Sequence, residues 1–164
     1  GTEKKGVDSG FDDLFKNAKW IITPTQNSDL NAVSTLSKLI RSLDCKIYQA
    51  SPKEHDEAVS LISHLPIFLA SALIETVHKK DNQSLLDLAQ KIAATGFADT
   101  SRVGGGNVQL GLDLAINNQI NVLNGIKIFK NNLNTLESLI KEKNWELLSK
   151  KLSEAKEIRE NFID

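Results

Sequence analysis

The sequence predicts a mainly α protein opened by one βαβ unit, and two observations predict it. Before Ser51, two short runs that read as strands, the β-branched KWIITP and CKIYQAS, bracket a segment whose apolar residues recur at helical spacing. From Ser51 onward the apolar residues keep a helical period and no strand signal remains. A lone βαβ cannot cover its own sheet, so residues 1–51 are expected to belong to something larger. Residues 52–164 are then a helical domain.

Each element has its own signature. KWIITP (19–24) reads as a strand stopped by Pro24. SDLNAVSTLSKLIRSLD follows with Ser28 or Asp29 as cap and Leu30, Val33, Leu36, Leu39, Ile40 and Leu43 at helical spacing. CKIYQAS (45–51) is the second strand. SPKEH then opens a helix with Ser51 as N-cap, Pro52 at the first helical position and Glu54 closing a capping box. Pro66 removes the backbone bond to Ile62, which predicts a kink. A helix over 83–95 carries Leu85, Leu86, Leu88 and Ile92 on one broad face. GFADTSRVGGGN (96–107) reads as a polar loop, longer than the roughly 2–8 residues a helix connection needs. A long helix over 108–141 has an apolar face wide enough to predict burial against several neighbours, another subunit among them. The last amphipathic helix covers about 143–162, with Leu147, Leu148, Leu152, Ala155 and Ile158.

Composition excludes several classes. With 164 residues the chain can bury a sizeable core without a staple. A net charge of −1, with both signs interspersed, provides no basic field for nucleic acid. Aromatic residues make up only 5%, which argues against base stacking. Cys45 is the only cysteine, so an internal disulfide and a Cys-based zinc site are both excluded. No uninterrupted apolar run approaches membrane-spanning length, and GTEKKGVDSG lacks a signal-peptide core. The expectation is a soluble, cytoplasmic protein without nucleic-acid or membrane partners.

Two fragments can carry chemistry. EHDEAVSLISHLP places His55, Asp56, Ser63 and His64 on one helix. With a regular α-helical phase, Asp56 and Ser63 lie within about 20° of each other and His55 within about 80° of Ser63. A carboxylate, a hydroxyl and an imidazole then share one side; the plainer reading makes His55 and Asp56 solvated first-turn residues. In GFADTSRVGGGN, Arg102 is a permanent planar cation suited to bidentate capture of a carboxylate. The glycines beside it let backbone approach a ligand closely, or else form a flexible hinge. GGGN lacks the GxGxxG spacing and follows no strand, so it is no dinucleotide fingerprint. His78 reads as a surface residue at a helix end.

Taken together, GTEKKGV, LFKNAKWIITPT, EHDEAVSLISHLP, GFADTSRVGGGN and the helix bearing Asn118 resemble the prephenate/arogenate dehydrogenase family. The likeness runs along nearly the whole chain, and SHLP followed by GFADTSR is its most specific part. It implies a helical dimerisation domain of the 6-phosphogluconate-dehydrogenase C-terminal-like type, preceded by a residual βαβ from the end of a Rossmann domain. It also implies NAD(P)-dependent oxidative decarboxylation of arogenate or prephenate by a homodimer. The family's nucleotide-binding glycines and catalytic histidine have no counterpart here. The histidine's motif would end at Gly1, so the catalytic group is expected upstream and the isolated chain is expected to be inactive.

By the same resemblance, Arg102 matches the arginine that holds a substrate carboxylate, and Asp99 and Thr100 match residues that order its loop. Ser63 and His55 match polar groups of the substrate pocket. Thr2 and Glu3 match the loop after the catalytic histidine, where the glutamate gates the pocket. Three departures stand out. Ile67 replaces a histidine common in prephenate-specific members, Ala98 replaces a lysine near the substrate side chain, and Gly111 replaces a tryptophan sent across the dimer. The first two favour arogenate; by likeness to that branch the cofactor is NADP, with NAD the other candidate. Against this enzyme reading stands a non-catalytic helical module whose apolar faces serve only to oligomerise. A stand-alone enzyme using Asp56 and His55 as acid and base is a third, weaker reading.

Overall fold

The computed structural model describes residues 6–78 and 82–163. Thr2 and Glu3 lie outside the described residues. The chain is mostly helical, with one two-stranded parallel sheet. It divides into two compact units, Gly1–Ser63 and His64–Asp164.

In the first unit, β1 (Lys19–Ile22) pairs in parallel with β2 (Lys46–Gln49) through the crossover helix α1 (Leu30–Ser42). Asp29 is the cap, its side chain accepting from the Asn31 N–H at 2.8 Å, while Ser28 Oγ accepts from the Thr25 N–H and closes the preceding turn. Ile22, Ile40 and Cys45 form the core under Trp20, Val33 and Ile47. Side chains alternate along a strand, so the register partners Ile21 and Tyr48 point to the other face, where they are 45% and 50% exposed. One helix covers one face; the second apolar face is bare within this unit.

The Ser51 capping box forms as its spacing predicts and starts α2 (Pro52–Val59). A π-turn, Ser60–His64, then leads directly into α3 (Leu65–His78). The expected disturbance at Pro66 thus takes the form of a widened turn just before the proline, a known way for a helix to continue past a missing N–H. This π-turn changes the helical phase, so the angular alignment of Asp56 with Ser63 argued from a uniform α-helix does not carry over.

In the second unit α3 packs against α4 (Gln83–Ile92), α5 (Thr95–Ser101), a 3-10 turn (Arg102–Gly105) and α7 (Gln119–Lys141); α7 also meets α6 (Val108–Asn117) and α8 (Trp145–Glu160). Three asparagines cap helices: Asn82 accepts from the Leu85 N–H, Asn107 from Gln109 and Leu110, and Asn144 from Leu147. The end of α7 is a Schellman motif, with the Asn144 N–H on Leu139 O at 2.9 Å and Lys143 in the left-handed region at φ 55°.

Three sequence expectations need correction. GFADTSRVGGGN is no loop: its first half is α5 and its middle is the 3-10 turn. The helix expected over 108–141 is two helices, broken at Asn118 with φ −129° and ψ 35°. And although no single uninterrupted apolar run is long, the continuous helix Pro52–His78 has 27 residues and contains an 18-residue stretch with a mean hydropathy of 1.7, enough to cross a membrane by length and composition. Its polar groups Ser60 and Ser71 bond back to carbonyls one turn earlier.

Candidate anion site on the helical unit

The polar surplus of residues 96–107 resolves into parts. Thr100 Oγ1 donates to Gly96 O at 2.7 Å and Ser101 Oγ to Phe97 O at 2.6 Å, which quiets both hydroxyls within α5. Asn107 serves as the α6 cap. Gly104 is required by packing: a Cβ there would stand 2.6 Å from Ser71 N and 2.7 Å from Ala70 C. The close backbone approach at Gly104 is therefore made to α3, whereas a Cβ on Gly105 would meet nothing within 4 Å. None of these roles needs a guanidinium. Arg102, exposed at the start of the 3-10 turn, and Asp99, exposed on α5, are the charged residues of the segment.

His55 and Asp56 belong to the first unit, at the start of α2, where His55 Nδ1 stands 3.0 Å from Asp56 Oδ1. A carboxylate can only accept, so the ring N–H at Nδ1 donates and Nε2 carries the lone pair or the second proton. Ser63 is exposed in the π-turn. Arg102 and Asp99 lie in the second unit. At the α2 cap, Ser51 Oγ and the Ser51 N–H both donate to Glu54 Oε2, holding that carboxyl below its ordinary 4.5.

Sequence reasoning missed one polar cluster. His64 is 8% exposed, and its Nδ1 lies 3.3 Å from Asn118 Nδ2, at the break between α6 and α7. Asn121 Nδ2 donates to Asn118 Oδ1 at 2.9 Å, which turns the Asn118 amide so that its NH₂ faces the imidazole. His64 therefore accepts at Nδ1 and carries its proton at Nε2. The adjacent pair Asn117–Asn118, poor helix formers in an apolar helix, was the available signal. His78 is exposed, as expected.

An apolar cavity of about 380 Å³ lies among α3, α4 and α5, lined by Ile74, Val77, Leu86, Ala89 and Phe97 with His78 and Gln90. Arg102 does not line it, and its walls are mostly apolar. Ile67 and Gly111 face each other: a Cβ on Gly111 would meet Ile67 Cγ2 at 3.8 Å, so these two departures share one apolar spot. No described group of three or more His, Cys, Asp or Glu residues could hold a metal ion.

The βαβ shown does not fit a dinucleotide pyrophosphate. The N-terminus of α1 is closed by the Asp29 carboxylate, and no glycine stands between β1 and α1.

A parallel βαβ followed by an all-helical unit matches the C-terminal, dimerisation part of a dehydrogenase with the end of its nucleotide-binding domain before it. Comparison with known proteins narrows the class. Residues 51–154 match the model of the prephenate dehydrogenase dimerization domain, and residues 1–49 that of the prephenate dehydrogenase nucleotide-binding domain. The chain belongs to the prephenate dehydrogenase family. It is 29% identical over 162 residues to a prephenate dehydrogenase of Bacillus subtilis, covering 99% of this chain and 43% of that protein. A cyclohexadienyl dehydrogenase of Zymomonas mobilis is 27% identical over 97% of this chain and 54% of its own length. The crystal structure of Synechocystis arogenate dehydrogenase superposes with a TM-score of 0.93 at 37% identity, covering 99% of this chain and 59% of that one. Prephenate dehydrogenase from Aquifex aeolicus in complex with hydroxyphenyl propionate and NAD+ gives 0.90 at 30% identity, covering 100% of this chain and 56% of that one. The chain thus spans about half the length of its relatives.

Proposed function

We propose that this chain is the substrate-binding and dimerising part of an arogenate or prephenate dehydrogenase of tyrosine biosynthesis. Residues 1–51 are the end of the nucleotide-binding domain and residues 52–164 the helical domain. The reaction is NAD(P)-dependent oxidative decarboxylation of a cyclohexadienol ring, and the nicotinamide supplies the hydride acceptor. The observation that carries the proposal is Arg102: a permanent cation, exposed, on a turn seated on α3, within a sequence that matches the dehydrogenase along its length.

Arg102 grips the ring carboxylate as a bidentate pair, a geometry a lysine cannot reproduce. Ser63, His55, Asp99, Thr2 and Glu3 complete the substrate site. The catalytic histidine and the pyrophosphate-binding glycines stand in the remainder of the enzyme. The Asp29-capped βαβ and the bare Ile21–Tyr48 face support that placement, because both leave work for other elements of the sheet. Arogenate is the preferred substrate, supported by the apolar Ile67–Gly111 spot and by Ala98, which together offer no cation to a keto-acid side chain. NADP is the cofactor by likeness to that branch, and the location is cytoplasmic.

The exposed Leu110, Leu112, Ile116, Ile120 and Leu123 of α6 and α7 support a homodimer through the helical domain. The apolar length of Pro52–His78 serves the same packing and spans no membrane. A helical oligomerisation module without catalysis is the competing reading, and the same exposed leucines and isoleucines favour it. Rates with arogenate and with prephenate, measured on the complete enzyme, decide between these readings. A higher kcat/KM for arogenate is expected; preference for prephenate overturns the substrate assignment, and no turnover of either overturns the enzyme reading.

A further inference from the structure

We infer that Gly104 is a positioning residue: its missing side chain seats the Arg102 turn directly on the backbone of α3, and this seat sets where the guanidinium stands. The inference rests on the reading of Arg102 as the carboxylate-binding group. The turn is only four residues long, Arg102–Gly105, so its backbone moves nearly as one piece. A Cβ at Gly104 would lie 2.6 Å from Ser71 N, 2.7 Å from Ala70 C and 2.9 Å from Ala70 Cβ.

Two of those three atoms are helix backbone and cannot rotate away. Ala70 is 3% exposed, and the same stretch is tied further by Ser71 Oγ donating to Ile67 O at 2.9 Å. The turn would have to rise by roughly 0.8 Å to bring 2.6 Å to ordinary contact at 3.4 Å. A bidentate guanidinium–carboxylate pair tolerates little of that, since its two parallel N–H···O bonds form together at about 2.7–2.9 Å. Gly96, on α5, has nothing within 4 Å of its would-be Cβ and gives a matched control.

The test is kinetic and uses the complete dehydrogenase. Gly104→Ala is expected to raise KM for the carboxylate substrate about tenfold with kcat within about twofold, the signature of lost ground-state binding. Gly96→Ala is expected to change neither. The deciding arm is the pair of Arg102→Gln with Gly104→Ala. If Gly104 acts through Arg102, the double variant has the KM of Arg102→Gln alone; if Gly104 only supports the fold, the two losses add. Additive losses overturn the inference. So does a normal KM for Gly104→Ala beside a raised KM for Arg102→Gln. A normal KM for Arg102→Gln overturns the prior reading of the arginine instead. Should Gly104→Ala fail to fold, as judged by its melting curve, Ala70→Ser pushes on the same seat from the α3 side. It is held to the same KM increase and the same non-additivity, and a normal KM for it overturns the inference.

Discussion

Replacing Asn118 with leucine removes the amide that joins the α6–α7 break to the π-turn before α3. Asn118 Nδ2 is the donor 3.3 Å from His64 Nδ1, and His64 is buried at 8% exposure, so water cannot simply take the amide's place. A buried acceptor stripped of its donor costs about 1–3 kcal/mol. Asn121 loses its acceptor too, but is only half-buried and can turn toward solvent. For a chain of this size each kcal/mol is worth roughly 2–4 °C in Tm, so Asn118→Leu should melt roughly 2–12 °C below the parent. Thermal and urea unfolding of the 164-residue chain measure this, with exposed Asn132→Leu in α7 as a control expected within about 0.5 kcal/mol. Equal melting temperatures for Asn118→Leu and Asn132→Leu would refute the hydrogen-bonded seam.

Other outcomes follow from the same geometry. Glu54 is held below 4.5 by the Ser51 hydroxyl and N–H, so its capping contribution is present at neutral pH and lost as pH falls through the depressed value; Glu54→Gln should remove that acid step from a pH titration of helicity. Lys143 occupies a left-handed position at φ 55°, and Lys143→Gly should raise stability by about 1 kcal/mol in a urea melt, a loss of stability being the contrary result. Light scattering of the purified chain should give a dimer, and a monomer would count against the helical unit as an interface. The same preparation should show no oxidation of arogenate with NAD or NADP, and measurable turnover would show that the chain needs no further catalytic group.

How much of this was legible depends on the strength of local signals. Ser51, Pro52 and Glu54 fix the start of α2 because cap, proline and glutamate act within one turn. The βαβ could be read because β-branched runs and helical spacing differ in period. α5 was hidden because Gly96 and its hydroxyl residues imitate a loop; packing against α3 and hydroxyl bonds to its own carbonyls make it a helix. The break at Asn118 was masked by apolar residues continuing on both sides, and the side-chain partner of Asn118, His64, lies 54 residues away. Arg102 stands out in the sequence by its charge among small polar residues, but the reason for Gly104 does not: it answers to the backbone of α3, a contact no local pattern encodes.

The most direct measurement is a crystal structure of the complete enzyme with a non-reacting ligand that keeps the ring carboxylate. Both terminal nitrogens of Arg102 should lie about 2.7–2.9 Å from the two carboxylate oxygens. A carboxylate held by another cation, with Arg102 turned to solvent, would contradict the account.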